Sequence, residues 1–385
     1  MRIGIDYTSA ATQGAGIVRY TRELMRALLA LPSPHRYSFF YAKSSRIDES
    51  AVSNQQSTIR RLPFHDKWLM RVWQRFRIPI PVELVVGKVD LFHSPDFTLP
   101  PTLPGVPTLL TVHDLSFVRD PDSAWPSLRA FLNKAVPRSV QRATHVLADS
   151  LATKNDLIEL FGTPAEKITV LYSGVESRFA PVRDQTEIDR VCANYQLPRP
   201  FILSVGTLQP RKNYGRLIEA FAELLKQPST SLRSAQAADL HLVITGGKGW
   251  MYESIFAQVK SLGLENRVHF PGFVADADLP ALYSAADLFA YVSLYEGFGL
   301  PLLEAMACGT PVIAANVSSL PEVVGEVGLQ VDPRDVSDIT QALRMMIEQS
   351  DLRNNAVAAG LDRARLFTWE KAARELLAIY EVITK

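Results

Sequence analysis

Two successive α/β domains, each built on a parallel sheet, are predicted by the sequence. Short apolar runs ending in Gly, Asp, Ser or Pro alternate with longer helical stretches, and the whole series occurs twice, on either side of a proline-punctuated connector. At 385 residues the chain is also too long for one core of ordinary size.

The first series comprises "RIGID" (2–6), "YSFFYA" (37–42), "DLFHSP" (90–95), "TLLTVHD" (108–114), "HVLADS" (145–150) and "ITVLYSG" (168–174). The second comprises "FILSVGTL" (201–208), "LHLVITGG" (240–247), "RVHFPGFV" (267–274), "DLFAYVS" (287–293) and "PVIAAN" (311–316). Between them, "ESRFAPVRDQ" and "LPRP" flank a short helical stretch and mark a boundary. This gives a first domain at 1–180 and a second at 196–368. The Ser/Ala/Gln-rich segment 226–239 lacks periodicity and is expected to be a mobile surface loop.

Composition narrows the class. With 47% hydrophobic and 21% charged residues, the chain reads as soluble and globular, and a net charge of +1 implies no nucleic acid or other polyanionic partner. No apolar run is long enough to span a bilayer, and Met1 leads straight into a strand pattern, so a cytoplasmic protein is expected. Two cysteines, Cys192 and Cys308, are too few for a disulfide framework or a zinc site.

In open parallel sheets ligands bind at the carboxyl ends of the strands, so the residues just after each strand carry the chemistry. After "DLFAYVS" comes "YEGFGLPLLEAMACGTPVIAA" (295–315). Glu296 falls on the strand-to-helix loop, Pro301 suits a first helical turn, and Glu304 falls at about the end of that turn. Free N–H groups at such a helix start form an anion site, and Gly297 and Gly299 allow close approach. The plainer reading makes Glu304 a dipole-stabilising acid and Glu296 a solvated one.

The flanking residues favour the functional reading. E-G-F-G-L-P-x-x-E-A-M-A-x-G-x-P-V-I-A resembles the E-x7-E signature of family 4 glycosyltransferases, retaining enzymes of the GT-B architecture. That resemblance, strongest over 200–335, implies two Rossmann-like domains with a cleft between them and a C-terminal helix, 369–385, crossing back onto the first. It implies a nucleoside diphosphate sugar as donor substrate, no metal or other cofactor, and a hydroxyl acceptor on a glycan or lipid-linked glycan. Glu296 would hold the transferred sugar, Glu304 the ribose, and the backbone of Phe298, Gly299 and Leu300 would orient the sugar.

By the same resemblance, Arg211 and Lys212 in "VGTLQPRKN" (205–213) would clamp the diphosphate, with Thr207 standing where many relatives carry an arginine. Gly16, in "QGAGIVRY", would face donor phosphate or acceptor; a tight turn is the alternative, and Arg19 breaks the G-x-G-x-x-G dinucleotide fingerprint that Gly14 and Gly16 begin. His113 would contact the donor sugar near its C6 hydroxyl, and Gly272 to Val274 would line the nucleobase pocket. Ser150 is a weaker candidate, equally explained as an N-cap. "DAD" (276–278) fits a metal-binding D-x-D pattern, but its position suits Asp276 as an N-cap and Asp278 as a first-turn acid, so no metal site is assigned.

The predicted activity is retaining transfer of a hexosyl unit, with GDP-mannose as the leading donor; "TVHDLSF" and "VGTLQPRKN" are similar to bacterial mannosyl- and rhamnosyltransferases of surface polysaccharide pathways. A sugar-nucleotide epimerase, a nicotinamide oxidoreductase and a non-catalytic nucleotide-sugar binder are the rival classes. A helix is predicted over 65–81, with Leu69, Val72, Trp73 and Phe76 on one face and Lys67, Arg71 and Arg75 on another, Arg77 adding charge. It either rests on an anionic membrane at the inner face or packs on the first domain.

Overall fold

A computed structural model describes residues 1–12, 16–42, 52–123, 125–226 and 239–384. The chain forms two units. One contains Met1–Val118, Pro126–Gly174 and Thr368–Lys385; the other contains Arg119–Trp125 and Val175–Phe367. The helix Gln185–Asn194, which the sequence places in the connector, belongs to the second unit and packs on the helix Leu279–Ala285. The Ser/Ala/Gln-rich segment lies, from 227 to 238, outside the described residues, as does Gly14.

The first unit is built on seven parallel strands: β1 (Arg2–Asp6), β2 (Arg36–Tyr41), β3 (Ser57–Arg61), β4 (Leu91–Ser94), β5 (Thr108–Val112), β6 (His145–Ala148) and β7 (Ile168–Val170). Their order is β3-β2-β1-β4-β5-β6-β7. The second unit has six parallel strands: β8 (Phe201–Val205), β9 (His241–Thr245), β10 (Val268–Gly272), β11 (Leu288–Tyr291), β12 (Val312–Ala315) and β13 (Leu329–Val331). These run in the order β10-β9-β8-β11-β12-β13. Central strands are apolar on both faces because helices cover both; β5, β11 and β12 are buried throughout.

The order reverses beside the first strand of each sheet, so β1 lies between β2 and β4, and β8 between β9 and β11. Such reversals open a crevice outside the carboxyl ends of the strands. The final helix, Trp369–Ile383, packs on the helix Gly16–Ala30 of the first unit, and Tyr380 on it pairs its hydroxyl with His93 Nδ1 at 2.7 Å.

Two strands escaped the sequence pattern. β3 reads "STIRR" with mostly exposed side chains, and β13 is three residues long; both are edge strands, which need no continuous apolar run. The helix expected over 65–81 is also shorter than its periodicity suggests. It runs from Asp66 to Met70, continues as a π-helical turn over Arg71–Arg75, and stops before Arg77, whose φ is 55°. Leu69, Val72 and Trp73 bury against the unit as the packing alternative requires, but Phe76 is 65% exposed. The extra residue of a π turn rotates Phe76 off the face that α-helical spacing would give it.

Candidate active site

In the second unit, the loops after β8 and β11 meet at the point where the strand order reverses. After β8 the backbone crosses Gly206, where a Cβ would sit 3.0 Å from the Tyr214 hydroxyl, and enters a short 3₁₀ turn over Pro210–Lys212. Asn213 closes that turn at φ 60°, a left-handed conformation that asparagine tolerates better than most residues. Its amide nitrogen donates to the carbonyls of Val292 at 2.9 Å and Pro333 at 2.6 Å, which pins the loop against the end of β11.

That anchoring brings three predicted residues together. Lys212 Nζ donates to Glu296 Oε1 at 2.6 Å and to the Tyr291 hydroxyl at 2.7 Å. Arg211 Nη1 donates to Glu296 Oε2 at 2.8 Å and to the Tyr295 carbonyl at 2.6 Å. Glu296 is thus the shared counter-ion of both cations. Burial alone would raise its carboxyl pKa, but Arg211 and Lys212 outweigh burial and hold it at about 2. Tyr291, at the end of β11, is raised in turn by burial and by the Glu296 charge.

The Glu296 loop is fixed from its other side. Ser318 Oγ accepts from the Glu296 N–H at 2.9 Å, and Ser319 Oγ is placed to donate to the carbonyls of Glu296 and Phe298 at 2.9 and 2.8 Å. Gly299 then takes φ 114° as N-cap of the helix Leu300–Ala307, leaving the first-turn N–H groups without a side-chain cap. Glu304 on this helix is only 2% exposed, and its Oε2 accepts from the Tyr283 hydroxyl at 2.8 Å.

Other predicted residues fall into place less directly. Val274 and Phe298 bury their side chains, so each can reach a ligand only through its backbone, whereas Phe273 between Gly272 and Val274 is 75% exposed. Thr207 and Leu300 are half-buried. Asp276 does not cap the following helix, and Asp278 is no first-turn acid. The N-cap is Asp278, and its carboxylate makes no capping bond, being taken by Arg190 at 2.6 Å and the Tyr195 hydroxyl at 2.8 Å. Asp276 meets Arg178 at 3.6 Å. Among the described residues no cluster of three His, Cys, Asp or Glu could hold a metal ion.

In the first unit, His113 follows β5 and is buried. Nδ1 lies 2.8 Å from Asp149 Oδ2 and Nε2 lies 3.2 Å from the Pro95 carbonyl; with Asp149 ionised both partners accept, an arrangement that favours the imidazolium even though burial pushes the Asp149 carboxyl up. Burial would lower its pKa; Asp149, with help from Asp96 and the Pro95 carbonyl, raises it to about 9. Gly16 opens the helix Gly16–Ala30, and a Cβ there would meet nothing within 4 Å, so no crowding in the protein itself demands glycine. Ser150 caps the helix Leu151–Phe161, accepting from Thr153 N–H, which is the structural alternative the sequence offered.

Tyr291, Tyr283 and Asn213 were missed from sequence. Each acts on a residue 21 to 120 positions away, as with Asn213 and the Pro333 carbonyl, and nothing local to a tyrosine or an asparagine announces such a partner.

Known proteins similar to this chain in sequence and in fold are numerous. Residues 186–363 match the family described as "Glycosyl transferases group 1" and residues 14–179 that described as "Glycosyltransferase Family 4". The chain is 32% identical over 378 residues to the O-antigen chain mannosyltransferase B of Escherichia coli, covering 96% of each protein. Among solved structures it resembles the sucrose-phosphate synthase of Thermosynechococcus elongatus, at a TM-score of 0.77 and 22% identity over 100% of this chain and 99% of that one. It also resembles Anabaena Alr3699/HepE in complex with UDP-glucose, at 0.74 and 19% over 99% and 100%. These structural likenesses establish a GT-B fold. The chain belongs to glycosyltransferase family 4 and is a glycosyltransferase.

Proposed function

We propose that this glycosyltransferase moves a hexosyl unit, with mannosyl favoured, from a nucleoside diphosphate sugar to a hydroxyl of a glycan or lipid-linked glycan, with retention of α-configuration and without a metal. The observation that carries the proposal is the Arg211–Lys212–Glu296 cluster at the strand-order reversal of the second unit. The mannosyl preference draws on the mannosyltransferase relative.

In the proposed step the bond from the anomeric carbon to the diphosphate oxygen breaks, and its electron pair leaves with the diphosphate. The acceptor oxygen bonds to the same face of the sugar, and its proton passes to the departing diphosphate oxygen. Charge therefore develops on phosphate oxygens, and preset donors there lower the barrier most. Lys212 is held by Tyr291 and Glu296 as a compact ammonium at the head of this loop, the kind of charge that meets a phosphate oxygen. Arg211 adds a second positive charge beside it, and the uncapped helix start after Gly299 adds backbone N–H groups.

Glu296 holds sugar hydroxyls and offsets positive character on the ring, Glu304 binds the ribose, and the backbone at Phe298, Gly299 and Leu300 orients the sugar. Thr207, Val274 and Gly16 contribute at the diphosphate, the base and the donor phosphate or acceptor. His113 supplies a fixed positive charge, its Nε2–H exchanging the Pro95 carbonyl for the C6 hydroxyl. Metal independence is supported by the engagement of Asp276 and Asp278 with Arg178, Arg190 and Tyr195. We place the reaction at the cytoplasmic face of a membrane, in peripheral contact through residues 65–81. Incubation with a panel of UDP, GDP and TDP sugars, with product anomers read by NMR, tests the reading: GDP-mannose turning over fastest to an α-linked product is expected. A β-linked product, or epimerised donor released without acceptor, would overturn it.

A further inference from the structure

The π turn at Arg71–Arg75 produces a surface that the rest of the first unit does not use. Phe64 and Trp68 stack with ring centroids 4.6 Å apart and are 46% and 45% exposed, and Phe76 is more exposed still. Ile78 and Ile80 continue the exposed apolar strip. Trp68, Arg71, Val72, Arg75 and Phe76 together line one open groove, so two guanidiniums and two aromatic rings share it. Arg71, Arg75 and Arg77 are exposed, and among the described residues no acid pairs with any of them.

An exposed aromatic patch in a soluble fold marks an interaction site, and unpaired guanidiniums inside it set the sign of the partner. Arginine's fork fits phosphate oxygens, and flanking aromatic rings suit the boundary between water and hydrocarbon. A protein partner would need acids to meet the arginines and aromatics together; an anionic phospholipid leaflet offers both chemistries over its whole area.

We propose that this surface docks on an anionic phospholipid bilayer, with Trp68, Phe76 and Phe64 entering the interface while Arg71 and Arg75 hold a lipid headgroup phosphate in the groove. Of the apolar face read from sequence, Leu69, Val72 and Trp73 are buried and are not the membrane face, whereas Phe76, after the π turn, is exposed and joins Phe64 and Trp68 on it. This rests on the peripheral placement proposed above and names the residues that carry it.

Co-sedimentation of the full chain with phosphatidylglycerol vesicles, phosphatidylcholine vesicles and inorganic phosphate tests it, with donor hydrolysis measured in the same samples. Binding to phosphatidylglycerol alone is expected, lost at 0.5 M salt in roughly the way screening within a few ångströms demands. The variant Arg71→Gln/Arg75→Gln should weaken binding about 30-fold, and Trp68→Ala/Phe76→Ala should abolish it, both with unchanged donor hydrolysis. Equal binding by the arginine variant or equal binding to phosphatidylcholine would overturn the headgroup site. So would competition by millimolar inorganic phosphate, which would point to a free-phosphate site, or a dimer dissolved by Trp68→Ala/Phe76→Ala, which would point to a second copy. Donor hydrolysis without vesicle binding would sink this inference and leave the transferase reading standing; vesicle binding without turnover of any donor would do the reverse.

Discussion

Lys212 Nζ lies 2.6 Å from Glu296 Oε1, so the two residues expected to serve opposite ends of the donor, diphosphate and sugar, form one ion pair. A diphosphate must therefore share Lys212 with a buried carboxylate, and the sugar must be met by a carboxylate already held in place.

Replacement of either partner should act differently. Lys212→Ala removes a charge-assisted contact to the leaving group, and donor affinity and turnover should fall together by about 2 kcal/mol or more. Glu296→Gln keeps the shape and removes the charge that competes with the diphosphate. Its turnover should fall far more than its donor affinity, and nucleoside diphosphate should bind at least as tightly as to the parent. Steady-state kinetics with calorimetry of nucleoside diphosphate checks both; wild-type kinetics in either variant would remove that residue from the site.

Most of this site was legible before the fold was known, for a physical reason. Glycines, a proline and two acids at fixed spacing encode a strand-to-helix loop locally, so Glu296, Gly299 and Glu304 could be placed from nearby residues alone. The parallel sheets were legible from apolar runs because helices cover both faces. What the sequence hid is long-range or irregular. Tyr291 and Tyr283 look like core aromatics until their hydroxyls are seen on Lys212 and Glu304. The edge strand Ser57–Arg61 has too few buried side chains to show a period. The π turn breaks the very spacing that put Phe76 on one face with Leu69, Val72 and Trp73.

The charged state of His113 gives a pH prediction with a definite sign. Its folded pKa, about 9, exceeds the ordinary 6.5, so the proton is bound more tightly in the folded state. The stability it contributes is complete below about pH 6.5 and is lost as pH rises through about 9. Glu296 works in the other direction: with a folded pKa of about 2 against 4.5, its contribution is complete above about pH 4.5 and is lost as pH falls toward 2. Denaturant midpoints from pH 6 to 9.5 should decline in the parent and decline less in Asp149→Asn. An NMR titration placing the His113 midpoint near 6.5 would contradict the imidazolium.

Asp278→Ala separates a metal ligand from a structural tie. Its carboxylate joins the helix Gln185–Asn194, through Arg190, and the Tyr195 hydroxyl to the helix that Asp278 begins. Loss of that tie should lower the melting temperature by a few degrees while transfer continues, and transfer by the parent should survive EDTA. Activity abolished by EDTA and restored by Mn²⁺ would show that the D-x-D pattern is functional after all.

Tyr283→Phe tests the donor side most narrowly. The hydroxyl lies 2.8 Å from Glu304 Oε2, and both side chains are buried, so the substitution removes one donor without opening a cavity. If Glu304 binds the ribose, its freed oxygen should turn from the ribose, and donor KM should rise about fivefold, equivalent to ~1 kcal/mol, with kcat nearly unchanged. Glu304→Ala should raise donor KM further. The discriminating measurement uses a donor lacking one ribose hydroxyl: it should bind the parent less well and show little additional penalty from Tyr283→Phe. An equal penalty on both donors would mean that Tyr283 supports the helix Leu300–Ala307 alone and that Glu304 does not read the ribose.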